Sequence, residues 1–283
     1  MDVEKIRKDF PFIKENIYFD NACMTIKPYP VIDSMNKYYE EHPICPGERS
    51  SSDASEKIDN KIERSRRSVA DLLNADSSDE IIFTKNTTEA INTVARGIKF
   101  ESGDIVMSTD KEHNSNLAPW IRIKDSKGVT YDQVRFKESG DFDIEEFKEK
   151  MNNKVKVVSM VHVSNLDGTS IPAKAVSDIA HDHDALFMLD SAQSVPHMPI
   201  DVKSLDVDLL AFSVHKMLGP TGIGVLYGKE EVLKDLSPLT VGGGNVKNST
   251  YSSIELHDFP KRFESGLQNY SGLCAVEPAI EYI

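Results

Sequence analysis

From Glu80 onward, short apolar, β-branched stretches alternate with stretches of helical periodicity. This alternation constrains the fold more than any other feature of the chain. Strands are expected over Glu80 to Thr84, Asp104 to Ser108, Lys156 to Val161, Leu186 to Asp190, Leu209 to Phe212 and Ile223 to Tyr227. Helices are expected over Thr88 to Arg96 and, after Gly168, over Pro172 to Asp182. Such a β-α-β rhythm builds a mainly parallel sheet with helices on its faces. Ligands of these sheets sit beyond the carboxyl ends of the strands, so the polar residues that follow each strand carry the functional information. Upstream, the sequence predicts helices over Pro30 to Tyr39 and Glu56 to Leu73, joined by a Ser-, Pro- and Gly-rich loop from Cys45 to Ser55. A last helix begins near Tyr270, and the sequence stops within it at Ile283.

With 283 residues, 39% of them hydrophobic, the chain can bury a full core. Its 33 Lys and Arg against 46 Asp and Glu leave a net charge of -13, which argues against a nucleic-acid partner. Met1 to Phe10 mixes acids and bases without an apolar run, and no stretch approaches membrane length. Cys23, Cys45 and Cys274 are widely separated and lack metal-ligand spacing. These features predict a cytoplasmic protein without metal, membrane contact or disulfide framework, its cysteines structural or incidental.

Six short motifs follow the strands. Ser213-Val214-His215-Lys216 closes one strand and leads through Gly219-Pro220-Thr221-Gly222 into the next. A lysine at a strand end can form a Schiff base with an aldehyde cofactor. Asp190-Ser191-Ala192-Gln193 puts a carboxylate where it can pair with a protonated pyridine nitrogen, and Gln193 where it can reach a phenolic oxygen. Asn86-Thr87-Thr88-Glu89 lies between strand and helix, where N–H groups and hydroxyls suit a phosphate. Glu112-His113, with Asn116 downstream, supplies an imidazole that can stack on a ring. His162-Val163-Ser164-Asn165 and Arg262-Phe263-Glu264-Ser265-Gly266 complete the set. Singly, each has an ordinary reading as a turn, a cap or a surface residue.

Together with Tyr18-Phe19-Asp20-Asn21-Ala22 and in this order, the motifs resemble the class V aminotransferase superfamily, and within it the cysteine desulfurase and selenocysteine lyase group. The resemblance implies an α/β fold of fold-type I, with a mainly parallel sheet of about seven strands and helices on both faces. It makes residues 1–283 the large, cofactor-binding domain, with 1–20 an N-terminal arm, and leaves the C-terminal small domain absent. It implies pyridoxal 5'-phosphate as cofactor, bound covalently to Lys216. Asp190 would hold the pyridine nitrogen, Gln193 the phenolic oxygen, and His113 would stack on the ring. Thr87, Thr88, Ser213 and His215 would hold the phosphate, and Asn165 would lie near the phenolic oxygen and the substrate carboxylate. The implied reaction turns cysteine into alanine and a persulfide, in a homodimer that passes sulfur to an acceptor protein. Transamination, epimerisation and selenocysteine cleavage are alternatives within the superfamily, and an inactive cofactor-binding fragment is another.

Four departures from the family pattern stand out. The family's nucleophilic cysteine and carboxylate-binding arginine belong to a segment later than Ile283, so this chain is expected to lack desulfurase activity on its own. Leu267 stands where relatives carry a threonine for the partner's phosphate. Asn86 replaces a glycine at the phosphate turn, a position expected to need Asn's tolerance of unusual backbone angles. Cys23-Met24 replaces Ala-Thr.

Overall fold

The structure is a computed structural model and describes residues 2–47 and 52–283. The loop expected over Cys45 to Ser55 lies in part outside the described residues. Seven strands form the central sheet: β1 (Ile81–Thr84), β2 (Ile105–Thr109), β3 (Thr130–Val134), β4 (Val155–Val161), β5 (Leu186–Asp190), β6 (Leu209–Ser213) and β7 (Gly224–Gly228). Their order is β1-β7-β6-β5-β4-β2-β3. The run from β6 to β3 is parallel, and β7 is antiparallel to both of its neighbours, β6 and β1. The mainly parallel sheet read from the sequence is therefore present.

Period-two side-chain alternation explains why helices cover both faces. Ile81 and Phe83 of β1, with Leu210 and Phe212 of β6, enter one core beside Ile58, Ile62 and Val69 of helix Asp53–Leu73 and Val176 of helix Ala173–His181. Ile82, Leu209 and Ala211 enter the other, beside Ala90, Ile91 and Val94 of helix Thr87–Gly97 and Trp120 of helix Asn114–Lys127. β1, β6 and β7 are buried at every residue, so they read as continuous apolar runs rather than alternating ones. Fully burying a side chain such as Phe187 or Phe212 contributes about 1.5–3 kcal/mol each.

Several elements differ from the sequence reading. β3, at the sheet edge, has half-exposed polar positions and no apolar run to announce it. β8 (Val246–Ser249) and β9 (Ile254–Leu256) pair as a separate exposed hairpin. Helices extend past their expected ends to Tyr29–Glu41 and Asp53–Leu73. The expected helix from Tyr270 is two, Tyr270–Leu273 and Val276–Tyr282. The N-terminal arm carries a short helix, Val3–Arg7, and docks on that last helix: Tyr282 donates to Asp9 Oδ2 at 2.8 Å and meets the Phe10 ring edge-on at 5.5 Å. Among the described residues no helix is long and apolar enough to cross a membrane.

Candidate active site

The turns after β1, β2, β4, β5 and β6 open into one cavity of about 480 Å³, lined by all nine residues singled out in the sequence: Thr87, Thr88, His113, Asn165, Asp190, Gln193, Ser213, His215 and Lys216. Lys216 ends a single 3-10 turn, Val214–Lys216, that follows β6 directly. Gly219 lets the chain double back: a Cβ there would lie 2.2 Å from Val214 Cγ1, and its N–H donates to Val214 O at 3.1 Å. Burial lowers the Lys216 ammonium below the usual lysine range, against the opposing charges of Asp190 and Cys23. Desolvation of this kind favours the neutral amine over the ammonium.

At one end of the cavity, helix Thr87–Gly97 presents its N-terminus. Thr87 N–H donates to Ser213 Oγ at 2.8 Å, and the two hydroxyls meet at 2.6 Å, which ties the helix start to the end of β6. Thr88 Oγ1 meets Ser115 Oγ at 2.7 Å. Asn86 caps this helix, its side chain accepting from Glu89 N–H at 2.9 Å. Its φ of -175° is ordinary extended backbone, so the expected need for Asn's conformational tolerance does not arise. The constraint sits on Gly224 instead, where a Cβ would fall 2.4 Å from Asn86 Cα. His215 has its pKa lowered by burial, with the Lys216 and Lys27 charges adding to the effect.

At the other end, Asp190 is buried, and its Oδ1 accepts from Ala192 N–H at 3.0 Å. Burial raises its carboxyl, while the Lys216 and His113 charges pull it back. His113 caps helix Asn114–Lys127, Nδ1 accepting from Ser115 N–H at 3.1 Å, which assigns the ring proton of the neutral form to Nε2. Gln193 Nε2 donates to Ala22 O at 2.8 Å, so the amide also fastens the N-terminal segment. Asn165 follows β4 in a turn closed by Gly168, whose N–H donates to Ser164 O at 3.1 Å.

The cavity is thus polarised. Its lining joins a buried carboxylate that suits a cation to a helix N-terminus, hydroxyls and an imidazole that suit a dianion. β6, which leads to Lys216, lies in the sheet between β5, which ends at Asp190, and β1, which leads to that helix. That donor set fits pyridoxal phosphate, which carries a basic ring nitrogen at one end and a phosphate on the other side of the ring.

Sequence reasoning missed residues that reach the site only through the fold. Thr25 donates through its N–H and its hydroxyl to His215 O. Lys27 Nζ reaches the same carbonyl at 3.0 Å, and burial lowers its ammonium to about 8. Glu112 anchors the turn that carries His113. Cys23, read as incidental, is exposed and lines the cavity, whereas Cys274 is buried. Leu267 lies outside the cavity and is 73% exposed. The nearby Gly244 packs on Gly266, so the two glycine-bearing segments touch each other.

The family model for class V aminotransferases matches residues 17–283. A probable cysteine desulfurase of Pyrococcus abyssi is 39% identical over 283 residues, covering 99% of this chain and 70% of the relative. One of Methanothermobacter thermautotrophicus is 38% identical over 284 residues, covering 100% of this chain and 70% of the relative. Among solved structures, the apo cysteine desulfurase of Thermococcus onnurineus superposes with a TM-score of 0.94 at 37% identity, covering 99% of this chain and 70% of that one.

Proposed function

The chain belongs to the class V aminotransferase family, and from that membership and the polarised cavity we infer a pyridoxal-phosphate-dependent cysteine desulfurase. The observation that carries the reading is a single cavity lined by Lys216, the Asp190 carboxylate and the bonded Thr87–Ser213 hydroxyl pair. The relatives that match over nearly the whole chain, and their printed activity, support the choice of substrate. Pyridoxal phosphate, when bound, supplies an aldehyde carbon for an amine and a ring that accepts the electron pair left when a bond at Cα breaks.

The chain's residues support that chemistry as follows. Thr87, Thr88, Ser213 and His215 hold the phosphate, with the helix N-terminus contributing N–H groups. Asp190 keeps a proton on the ring nitrogen through a charge-assisted bond. Gln193 and Asn165, which line the cavity, would reach the phenolic oxygen, and the His113 imidazole would stack on the ring. Lys216 would hold the cofactor through its amine and, with the substrate amine in its place, would be free to take the Cα proton at Nζ. A thiolate attacks the substrate sulfur: an S–S bond forms, the Cβ–S bond breaks, Cβ takes up a proton, and Cα regains the proton that Lys216 removed, which leaves alanine. The sulfur passes on to an acceptor protein.

A cytoplasmic homodimer belongs to the same reading. The exposed Leu267 marks the edge where the resemblance puts that interface. The test is product analysis with L-cysteine and a reducing thiol. Alanine and sulfide in equal amounts are expected where the nucleophilic thiol is supplied, and pyruvate with ammonia would replace the reading by a β-elimination lyase.

A further inference from the structure

β2 stops at Thr109, while β4 runs on to Val161 and would leave the Val161 N–H without a strand partner on that side. The Glu112 carboxylate fills that place. Its Oε1 accepts from Val161 N–H at 2.9 Å and from Thr109 Oγ1 at 2.7 Å, and its Oε2 accepts from Asn116 Nδ2 at 2.7 Å. The direction of these bonds is fixed from outside. Thr109 Oγ1 already accepts from Lys111 N–H at 3.1 Å, so its own hydrogen points to Glu112. Asn116 Oδ1 already accepts from Trp120 Nε1 at 3.0 Å and Ser159 Oγ at 2.6 Å, so its amide group turns its hydrogens to Glu112. Three donors therefore converge on two oxygens, the arrangement that favours a carboxylate over a carboxylic acid.

On the other side of β4, Val161 is in register with Asp190. One strand thus separates the two carboxylates, and the residue after Glu112 is His113. We propose that Glu112 is a positioning residue of this site: it seats His113, and its negative charge behind Asp190 strengthens the hold on a proton at the cofactor's ring nitrogen. This rests on the reading that the cavity takes pyridoxal phosphate.

The other ionisable groups around Glu112 are accounted for. Asp190 faces it from β5 and Tyr131 from β3, the latter with its phenol pushed up by burial. Lys111 is turned away to Asp167 at 2.7 Å, and Asp110 accepts from Phe136 N–H at 3.2 Å. Lys216 and His113 bear on Asp190. Burial, opposed by the three donors, pushes the Glu112 carboxyl up to about 7, so the charge develops as pH rises through neutrality.

The experiment loads the protein with ring-15N pyridoxal phosphate and follows the nitrogen's chemical shift with pH. In Glu112→Gln the protonation midpoint should fall by about one pH unit. The double variant Glu112→Gln with Asn116→Asp keeps every bond of the network, with one reversed in direction, and moves the charge away from Val161. Its midpoint should also lie below wild type while its unfolding midpoint recovers, and it stands in for the single variant if that fails to fold. A ring-nitrogen midpoint equal to wild type in the folded variants would overturn the proposal. A wild-type protein that takes up cofactor separates this result from failure of the cofactor reading, and one that takes up none removes both.

Discussion

Thr25 holds the turn that carries Lys216 by a single carbonyl: its N–H and its hydroxyl donate to His215 O at 3.0 and 2.9 Å. The same hydroxyl accepts from Leu218 N–H at 2.8 Å, next to the one reversal of the turn with a positive φ, 64° at Leu218. A residue of the N-terminal segment therefore fixes the backbone on both sides of Lys216. Thr25→Val keeps the shape, removes the hydroxyl and leaves the Leu218 N–H unsatisfied in a buried place. It is expected to cost about 1–3 kcal/mol in urea unfolding. Thr25→Ser should restore most of it, and a Thr25→Val protein as stable as wild type would show that the clamp contributes nothing.

Lys216, not Lys27, is expected to carry the cofactor, although burial lowers the ammonium of both. Lys27 spends its donors on the carbonyls of Thr25 and His215, outside the lining of the cavity. Borohydride reduction followed by peptide mapping should place the adduct on Lys216. Lys216→Ala should abolish it, and an adduct that moves to Lys27 or persists would reject the assignment.

In any active form of the protein, Asp190→Asn should lower turnover more than cofactor affinity. The neutral amide no longer favours the protonated ring nitrogen, while the phosphate end stays intact. The bond at stake is worth about 1.5–3 kcal/mol, which corresponds to a loss of roughly ten- to a hundredfold in kcat. Full activity in this variant would reduce Asp190 to a turn cap for Ala192.

Gly224→Ala drives a methyl group into the Asn86 backbone, with approaches of 2.4, 2.5 and 2.6 Å to its Cα, C and N atoms. Backbone cannot swing aside as a side chain can, so a loss of about 1–3 kcal/mol is expected. Because Asn86 precedes Thr87, affinity for inorganic phosphate or for the cofactor should fall as well. Equilibrium unfolding and a cofactor titration measure the two effects, and unchanged values in both would contradict the close approach.

Glu112 gives a pH dependence whose sign follows from its raised pKa. The folded carboxyl titrates near 7 and the unfolded one near its ordinary value of 4.5, so between these the native state binds the extra proton. Its contribution to stability is present below about 4.5 and is lost as pH rises toward 7. Glu112→Gln should remove this downward slope from a series of urea midpoints taken across that window. An identical slope in the variant would mean that the carboxyl is already ionised throughout.

How much of this was legible in the sequence depends on where the information is local. β4, β5 and β6 announce themselves because both of their faces are covered, and the polar residue that ends each run is visible in the string. β3 is not, since an edge strand with a half-exposed Tyr131-Asp132-Gln133 has no pattern to distinguish it from a loop. Helix Asn114–Lys127 is likewise hidden by Pro119 in its interior. Lys216, Asp190 and Ser213 could be read because chemistry follows the strand end. Thr25 could not, nor could the role of Glu112 beside His113, because their importance lies in distant carbonyls and N–H groups that only the tertiary fold brings within reach.

The reversed direction of β7 has a consequence for how the site assembles. Ser213 pairs with Gly224 across a hairpin, so the stretch bearing Lys216 is closed by contacts a dozen or so residues apart, and loop closure there costs little entropy. The next pairing outward, Ile81 with Tyr227, spans about half the chain. The lysine therefore sits on a locally encoded platform, while the anion-holding end on helix Thr87–Gly97 is delivered by contacts of long sequence separation, the slow kind to form. In a folding experiment the Lys216 turn should gain protection from amide exchange before the Thr87 N–H does, leaving a half-built pocket with its amine in place and its anion cradle still open.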